Sequence, residues 1–149
     1  MMQLRITKKF NFEMAHALWN YDGLCKNIHG HSYKLWVTVK GSPDENANGE
    51  KQGMVIDFSI LKDIVHKHII DKFDHSLVVN KHIPHNHLEQ IEQMYDRLHI
   101  FDNQPTCENL VIQFVKILQH HIPANIELFS IMLSETDTSY AEWYATDQS

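Results

Sequence analysis

Two stretches near the start of the chain alternate between apolar and polar side chains, and this period of two is the strongest constraint on the fold. In the first stretch, one side carries Leu4, Ile6, Phe10, Phe12 and Met14. In the second stretch, one side carries Tyr33, Leu35, Val37 and Val39. Such a period is typical of a strand with one buried face. We therefore expect two strands that pair as an antiparallel hairpin around a long loop, residues 17–28.

The apolar spacing becomes helical after residues 41–53, which are rich in turn-forming residues and predict an exposed loop. A first helix is predicted from Phe58, with Asp57 as its N-cap. Its apolar stripe consists of Phe58, Leu61, Ile64, Val65 and Ile69. A second helix is predicted to begin after Pro105, with Thr106 as its N-cap. Its apolar stripe consists of Leu110, Val111, Phe114, Ile117 and Leu118.

Alternation returns near the end of the chain, in residues 129–135 and 139–145, and predicts two more strands. The order is then strand, strand, helix, helix, strand, strand. Hairpins at both ends favour an α+β domain with an antiparallel four-stranded sheet and both helices on one face. The length favours a single domain over residues 1–149. Between the helices, residues 80–104 form a long segment in which we expect a short solvated helix or hairpin.

Charge and composition argue against several classes of partner. The chain has 43% hydrophobic residues and a formal net charge of −6, and its Lys and Arg residues are scattered, so neither nucleic acid nor an anionic membrane is an expected partner. No apolar stretch is long enough to span a bilayer, and the first residues contain no signal-peptide pattern. We expect a cytoplasmic protein whose two cysteines, Cys25 and Cys107, are reduced thiols.

Histidine is unusually frequent, with 12 residues, and three of them predict a metal site. His16 ends the first alternation in phase with its apolar side, and His29 and His31 begin the second in the same way. Antiparallel pairing brings these strand ends together, and residues two apart on a strand are separated by only ~6.6 Å. Three imidazoles with an open position are typical of catalytic zinc, so Zn²⁺ is the expected cofactor. The alternative is three unrelated polar residues at strand ends.

The remaining histidines carry no comparable prediction. Four lie on the predicted helices, where solvated surface is the expected environment: His66, His68, His120 and His121. Three others cluster in the polar segment and are at most an adventitious metal site: His82, His85 and His87.

Cys25 lies in the loop just before the metal histidines, where a nearby dication would lower the pKa of its thiol. The alternative is an inert buried cysteine. Cys107 falls in the first turn of the second helix, away from the predicted metal site, and we expect it to be structural. Glu135 ends an apolar strand face, so its carboxylate is either partly buried and in need of donors or an ordinary solvated strand end.

Six motifs occur in order along the chain and together resemble one known family. They are F-x-F-x-x-A-H (10–16), C-x-x-x-H-G-H (25–31), G-M-V-I-D-F (53–58), D-H (74–75), P-T-x-E-N (105–109) and S-E-T (134–136). The set resembles the 6-pyruvoyl-tetrahydropterin synthase and 6-carboxytetrahydropterin synthase family over nearly the whole chain. The resemblance implies the tunnelling fold, in which sheets from several subunits close a barrel. It also implies a homohexamer of two trimers with active sites at subunit interfaces.

The resemblance also implies roles for individual residues. Cys25 would accept a proton, helped by Asp74 and His75, a pair that on its own would be an unremarkable helix C-terminus. Glu135 would anchor the pterin through its N–H groups and take part in the proton relay, and Thr106 would lie near the pterin. The metal would be held by His16, His29 and His31.

The implied substrate is 7,8-dihydroneopterin triphosphate, and we favour 6-carboxytetrahydropterin, acetaldehyde and triphosphate as products, in queuosine (7-deazaguanine) synthesis. The short C-x-x-x-H-G-H spacing and the compact chain support this choice. Two alternatives remain: a 6-pyruvoyl-tetrahydropterin synthase, which stops at an earlier product, and a non-catalytic metal-binding scaffold. A scaffold would have no use for Cys25, Asp74, His75 and Glu135 together.

Overall fold

The computed structural model describes residues 1–148 and contains one mixed sheet with the helices packed on its faces. The strands are β1 (Leu4–His16), β2 (His29–Gly41), β3 (Ser76–Asn80), β4 (Leu98–Phe101), β5 (Glu127–Thr136) and β6 (Ser139–Tyr144). The helices are α1 (Phe58–Val65), α2 (Asp71–Phe73), α3 (His85–Met94) and α4 (Cys107–Gln119). A π-helical turn, His66–Ile70, joins α1 to α2, and 3-10 turns lie at Leu24–Lys26 and Ala145–Asp147.

The predicted hairpin of the first two strands is confirmed. β1 and β2 pair antiparallel along their whole length, from Leu4 opposite Gly41 to His16 opposite His29. β5 pairs antiparallel with β2, and β6 pairs antiparallel with β5. These four strands are the antiparallel sheet that the two regions of alternation predict.

The sheet is larger than the predicted four strands, because β3 and β4 extend it beside β1 to the order β4-β3-β1-β2-β5-β6. Both added pairings, β1 with β3 and β3 with β4, are parallel. β3 is a run of five buried residues without alternation, and β4 has only four residues. A period of two could therefore predict neither strand, because β3 does not alternate and β4 is too short.

Both predicted helix starts are confirmed by their caps. The Asp57 carboxylate accepts a hydrogen bond from the Ser59 backbone N–H ahead of α1. The Thr106 hydroxyl accepts one from the Asn109 backbone N–H ahead of α4, at 3.2 Å. Each cap satisfies a donor that the first helical turn would otherwise leave unpaired.

The main core lies between one face of the sheet and the two long predicted helices, as expected. Its most deeply buried members include Phe12, Leu35, Leu61, Ile69, Leu110, Phe114 and Ile131, each at most 1% exposed. A second, smaller cluster lies on the opposite face and joins α3 to the sheet through Leu77, Val79, Ile83 and Leu88. The neighbouring Val78 belongs to the main core instead, as side-chain alternation along a strand requires.

None of the helices between residues 1 and 148 has the length and apolar character that crossing a bilayer requires.

Candidate active site

Three histidines converge at one end of the sheet, where β1 ends and β2 begins. His16 and His29 are direct register partners, and His31 lies opposite Met14. Each of the three rings offers a nitrogen atom, and these nitrogens all lie within 4.8 Å of one another. Antiparallel pairing has therefore produced the arrangement that strand phase predicted, a group of imidazoles that can hold one metal ion.

Backbone carbonyls set the protonation of two of these rings. His16 Nδ1 lies 2.7 Å from the Pro105 carbonyl oxygen, and His29 Nδ1 lies 2.7 Å from the Asn27 carbonyl oxygen. Because a carbonyl oxygen can only accept, each Nδ1 must carry the proton and donate. In a neutral ring, the Nε2 lone pair is then free to bind a metal.

The free nitrogens of these two rings fit a bound cation. His16 Nε2 and His29 Nε2 lie 2.9 Å apart. With both Nδ1 atoms protonated, two lone pairs face each other at this distance, and only a proton or a metal ion between them removes the repulsion. Burial lowers the pKa of His16, which is 2% exposed, and so favours the neutral ring that a metal needs.

Glu135 brings a carboxylate to the same place. It lies near the end of β5, and its Oε1 is 3.5 Å from His16 Nε2 and 3.8 Å from His31 Nε2. The side chain is 24% exposed, so the carboxylate is partly shielded but open to a ligand. Its position matches the expectation of a strand-end carboxylate in need of donors.

A cavity of about 220 Å³ opens beside the histidines and contains two further predicted residues. His16, Cys25, Thr106 and Glu135 all line it. Cys25 is exposed in the 3-10 turn, and its carbonyl accepts a hydrogen bond from the Leu18 N–H at 3.0 Å, which ties the loop to the end of β1. A thiol, a hydroxyl, a carboxylate and one of the three metal-site histidines, His16, therefore line one cavity.

Cys107 lines the same cavity but has a different environment from Cys25. Its thiol donates to the Leu133 carbonyl oxygen at 3.3 Å. Burial, together with the charge of Glu135, raises the pKa of Cys107 to about 12, so the thiol stays protonated at neutral pH. The prediction that Cys107 lies away from the metal site is therefore wrong, since Cys107 shares a cavity with His16, but a protonated, partly buried thiol does not suit a base.

Asp74 and His75 lie apart from this cavity within the single chain. The pair follows α2, and His75 lines a larger cavity of about 670 Å³ together with Glu13, Ser32, Arg97 and the metal-site residue His31. Asp74 Oδ2 is 2.9 Å from His75 Nδ1, and Asp74 Oδ1 accepts from the Glu13 backbone N–H at 2.8 Å. One copy of the chain therefore builds the pair but does not bring it into the cavity that Cys25 lines.

The pKa of Asp74 is lowered in this setting. Partial burial acts to raise it, but the Glu13 N–H, the hydrogen bond from His75 and the charge of Arg97 outweigh that effect. Asp74 therefore stays ionised and accepts a hydrogen bond from His75 Nδ1, which orients a His75 side chain that is 74% exposed.

Several residues that shape the site were not predicted. The carbonyls of Asn27 and Pro105 orient the metal histidines, but a backbone oxygen has no residue-type signal, and only the P-T-x-E-N motif pointed to Pro105. Tyr33 is fully buried next to the histidines, and its hydroxyl has no hydrogen-bond partner within residues 1–148. Its place in the alternation predicted only a core residue.

The other histidines form contacts that do not suggest metal binding. His68 and His121 stack with ring centroids 3.5 Å apart and planes 8° apart. Their lone pairs point outward along parallel planes and do not meet at a shared point. His85 pairs with Glu89 at 3.1 Å on the surface of α3. The first contact is compatible with the solvated surface predicted for His68 and His121, and the second occupies a histidine that the sequence allowed at most as part of an adventitious metal site.

The sequence matches a family profile and proteins of known assignment. The profile described as 6-pyruvoyl tetrahydropterin synthase matches residues 5–146. The 6-carboxy-5,6,7,8-tetrahydropterin synthase of Haemophilus influenzae is 37% identical over 143 residues, which cover 93% of this chain and 97% of that protein.

Solved structures share the fold at lower identity. An uncharacterized protein from Wolinella succinogenes superposes with a TM-score of 0.79 at 20% identity, covering 97% of this chain and 99% of that chain. The 6-pyruvoyl tetrahydropterin synthase of Caenorhabditis elegans superposes with a TM-score of 0.69 at 22% identity, covering 97% of both chains. These two likenesses concern the fold alone.

Proposed function

Because this chain belongs to the 6-pyruvoyl tetrahydropterin synthase family, we propose that it is a zinc-dependent 6-carboxy-5,6,7,8-tetrahydropterin synthase. It would convert 7,8-dihydroneopterin triphosphate, with uptake of water, to 6-carboxytetrahydropterin, acetaldehyde and triphosphate. The enzyme would be a cytoplasmic lyase of queuosine (7-deazaguanine) synthesis. The name of the Haemophilus influenzae relative supports the carboxy product over the pyruvoyl one.

One observation carries the proposal: the nitrogens of the three histidines converge within 4.8 Å, and one of the three, His16, lines a cavity together with Cys25, Thr106 and Glu135. We assign His16, His29 and His31 as the ligands of zinc. A zinc ion bound there would act as a Lewis acid on the substrate side chain and acidify the adjacent C–H.

Glu135 and Thr106 would hold the pterin ring. The Glu135 carboxylate can accept hydrogen bonds from the amino and ring N–H groups of a pterin. The Thr106 oxygen already accepts from the Asn109 N–H at 3.2 Å, so its own proton remains to be donated to a ligand in the cavity. The two residues together would orient the substrate toward the histidines and Cys25.

Cys25 would remove the substrate proton, with Asp74 and His75 setting its protonation. Within one chain this pair lies away from the Cys25 cavity, whereas the family resemblance implies active sites at subunit interfaces. We therefore propose that Asp74 and His75 of one subunit act on Cys25 of a neighbouring subunit in a homohexamer. Asp74 would orient the His75 ring, and His75 would exchange a proton with the thiol.

Product analysis tests the activity directly. The zinc-loaded protein is incubated with 7,8-dihydroneopterin triphosphate, and the products are identified by mass spectrometry. 6-Carboxytetrahydropterin with acetaldehyde supports the proposal. A pyruvoyl product would reassign the protein to the other activity of the family, and no turnover would contradict both activities and favour a scaffold.

A pair of cysteine variants tests the assignment of the base. We expect Cys25→Ala to lower kcat by about 100-fold or more, because a positioned base contributes that much. Its zinc content, measured by elemental analysis, should stay stoichiometric. Cys107→Ala is the matched control, since Cys107 is the only other cysteine and lines the same cavity. Loss of zinc in Cys25→Ala would instead identify Cys25 as a metal ligand.

A further inference from the structure

We propose that Arg97 is a positioning residue that holds the turn carrying Asp74 and His75 in its working conformation. The inference rests on the proposed function, because it concerns the same pair. Arg97 Nε donates to the Asp74 carbonyl oxygen at 2.9 Å, and Arg97 Nη2 donates to the Asp71 carbonyl oxygen at 2.6 Å. One guanidinium therefore bonds the carbonyl oxygen of the first residue of α2 and that of the residue just after the helix.

The turn that Arg97 holds has an uncommon backbone. α2 ends at Phe73, Asp74 is extended, and His75 has a φ of 58°. The left-handed region disfavours a residue with a side chain by about 1 kcal/mol, so surrounding contacts must maintain it. The turn lies between the end of α2 and the start of β3.

Helix-end carbonyls in this turn lack partners from a following helical turn. Two side chains at the start of β4 supply donors. Arg97, just before the strand, bonds the carbonyl oxygens of Asp71 and Asp74. His99 Nε2 donates to the Lys72 carbonyl oxygen at 2.7 Å. A cation is also favourable at the negative end of the helical segment. The residues between β3 and α4, whose role the sequence did not reveal, thus fasten the turn.

Strand β1 holds the same turn from the other side. The Glu13 N–H donates to Asp74 Oδ1 at 2.8 Å, and the His75 N–H donates to the Glu13 carbonyl oxygen at 2.6 Å. Arg97 is itself fixed, because its carbonyl accepts from the Leu77 N–H at 2.9 Å. The pair is therefore held from two sides, by the backbone of Glu13 and by the side chain of Arg97. Only the Arg97 contacts can be removed by a side-chain substitution.

An arginine fits this task better than a lysine. A guanidinium offers several N–H groups in a rigid fork and can bond two carbonyls at once, whereas an ammonium on a flexible stem is a single point charge. The positive charge of Arg97 also helps to keep Asp74 ionised. Without Arg97 the His75 ring would lose its fixed direction although both members of the pair remain.

Steady-state kinetics of Arg97→Gln test the proposal in the full-length, zinc-loaded protein. We expect kcat to fall by about 100-fold, the scale of a misplacement of about 1 Å, while KM and zinc content stay near wild type. Arg97→Lys should be intermediate. Guanidinium ion, at a concentration too low to unfold the protein, should restore part of the kcat of Arg97→Ala.

Arg5→Gln is the matched control, because Arg5 is the only other arginine and its guanidinium lies 4.0 Å from the centre of the Phe129 ring. It should leave kcat unchanged. Amide exchange of residues 71–76 provides a readout independent of activity and should accelerate in Arg97→Gln but not in Arg5→Gln.

The possible failures are distinguishable. A wild-type protein without turnover contradicts the proposed function itself. A wild-type kcat in Arg97→Gln, or a raised KM with unchanged kcat, overturns the positioning role while the proposed function stands. Unchanged amide exchange in residues 71–76 also overturns it.

Discussion

At the scale of single residues, the candidate metal group depends on backbone oxygens as much as on the histidines. The carbonyls of Pro105 and Asn27 hold the protonated Nδ1 atoms of His16 and His29, so that the Nε2 atoms face each other. Strand phase predicted which histidines would meet. It could not predict the carbonyl partners, because Pro105 reaches His16 only through the packing of the chain ahead of α4.

Tyr33 shows the limit of a prediction from alternation. Its ring stacks on Phe12 with centroids 5.1 Å apart, as a core residue should. Burial, with the nearby charge of Glu135, raises the pKa of Tyr33, so the hydroxyl keeps its proton, and residues 1–148 offer it no hydrogen-bond partner. A period of two identifies the buried face of a strand. It does not show whether the polar end of a buried side chain finds a hydrogen-bond partner.

We expect Tyr33→Phe to leave the free energy of unfolding unchanged or raise it by about 1 kcal/mol, because it removes a buried hydroxyl without a partner. Urea unfolding followed by circular dichroism measures the effect. Tyr140→Phe is the control, since Tyr140 is 61% exposed and should not respond. A loss of stability in Tyr33→Phe would mean that the hydroxyl is hydrogen-bonded in solution.

At the scale of elements, the sequence predicted the strands that have a clear hydrophobic period and the helices that begin at an N-cap. The antiparallel strands and the starts of α1 and α4 are of this kind. β3 was not predicted because both of its faces are buried and its residues do not alternate. β4 lies in a segment whose sequence is polar, and its register depends on pairing with β3, which is remote from any hairpin signal. α3 lies in the same segment and is the short helix that the sequence allowed there, with a hairpin as the alternative.

The cap of α4 also belongs to the candidate site, so Thr106 has two separable roles. We expect Thr106→Ala to lower the free energy of unfolding by about 1 kcal/mol through loss of the cap. Thr106→Asp keeps a capping oxygen but adds a negative charge beside Glu135, so it should restore stability and raise KM. Thr106→Ser should preserve both properties.

Denaturant unfolding and steady-state kinetics of the three Thr106 variants separate the roles. If Thr106→Asp bound substrate as well as the wild type does, the hydroxyl would be a helix cap only.

At the scale of the whole molecule, the sheet is open and the candidate site is divided. β4 and β6 each pair with a single neighbour among the described strands, so each leaves an edge with unpaired backbone groups. The Cys25 cavity and the Asp74–His75 pair are apart in one chain. Both features are what a subunit of a larger ring would present.

Hybrid oligomers test whether the site is shared between subunits. Cys25→Ala and His75→Ala, each inactive alone, are coexpressed with different tags, and mixed oligomers are purified through both tags. If each site takes Cys25 from one subunit and His75 from the next, about a quarter of the sites in a random mixture contain both residues. Light scattering checks that the mass is that of the wild-type assembly.

Either variant purified alone serves as the control and should show no activity. Mixed oligomers as inactive as the single variants would contradict a shared site, because a site built within one chain always retains a lesion.

The bond between the Glu13 backbone and the Asp74–His75 turn has a consequence for how this sequence can change in evolution. Glu13 holds the pair through its N–H and carbonyl, and His16 of the same strand belongs to the candidate metal group. These backbone bonds depend on the position of Glu13 along β1, whereas its side chain accepts a separate hydrogen bond from Ser32 Oγ at 2.7 Å. Met14 is buried in the core and must stay apolar, and a deletion of Met14 or Ala15 would move one half of the chemistry out of phase with the other.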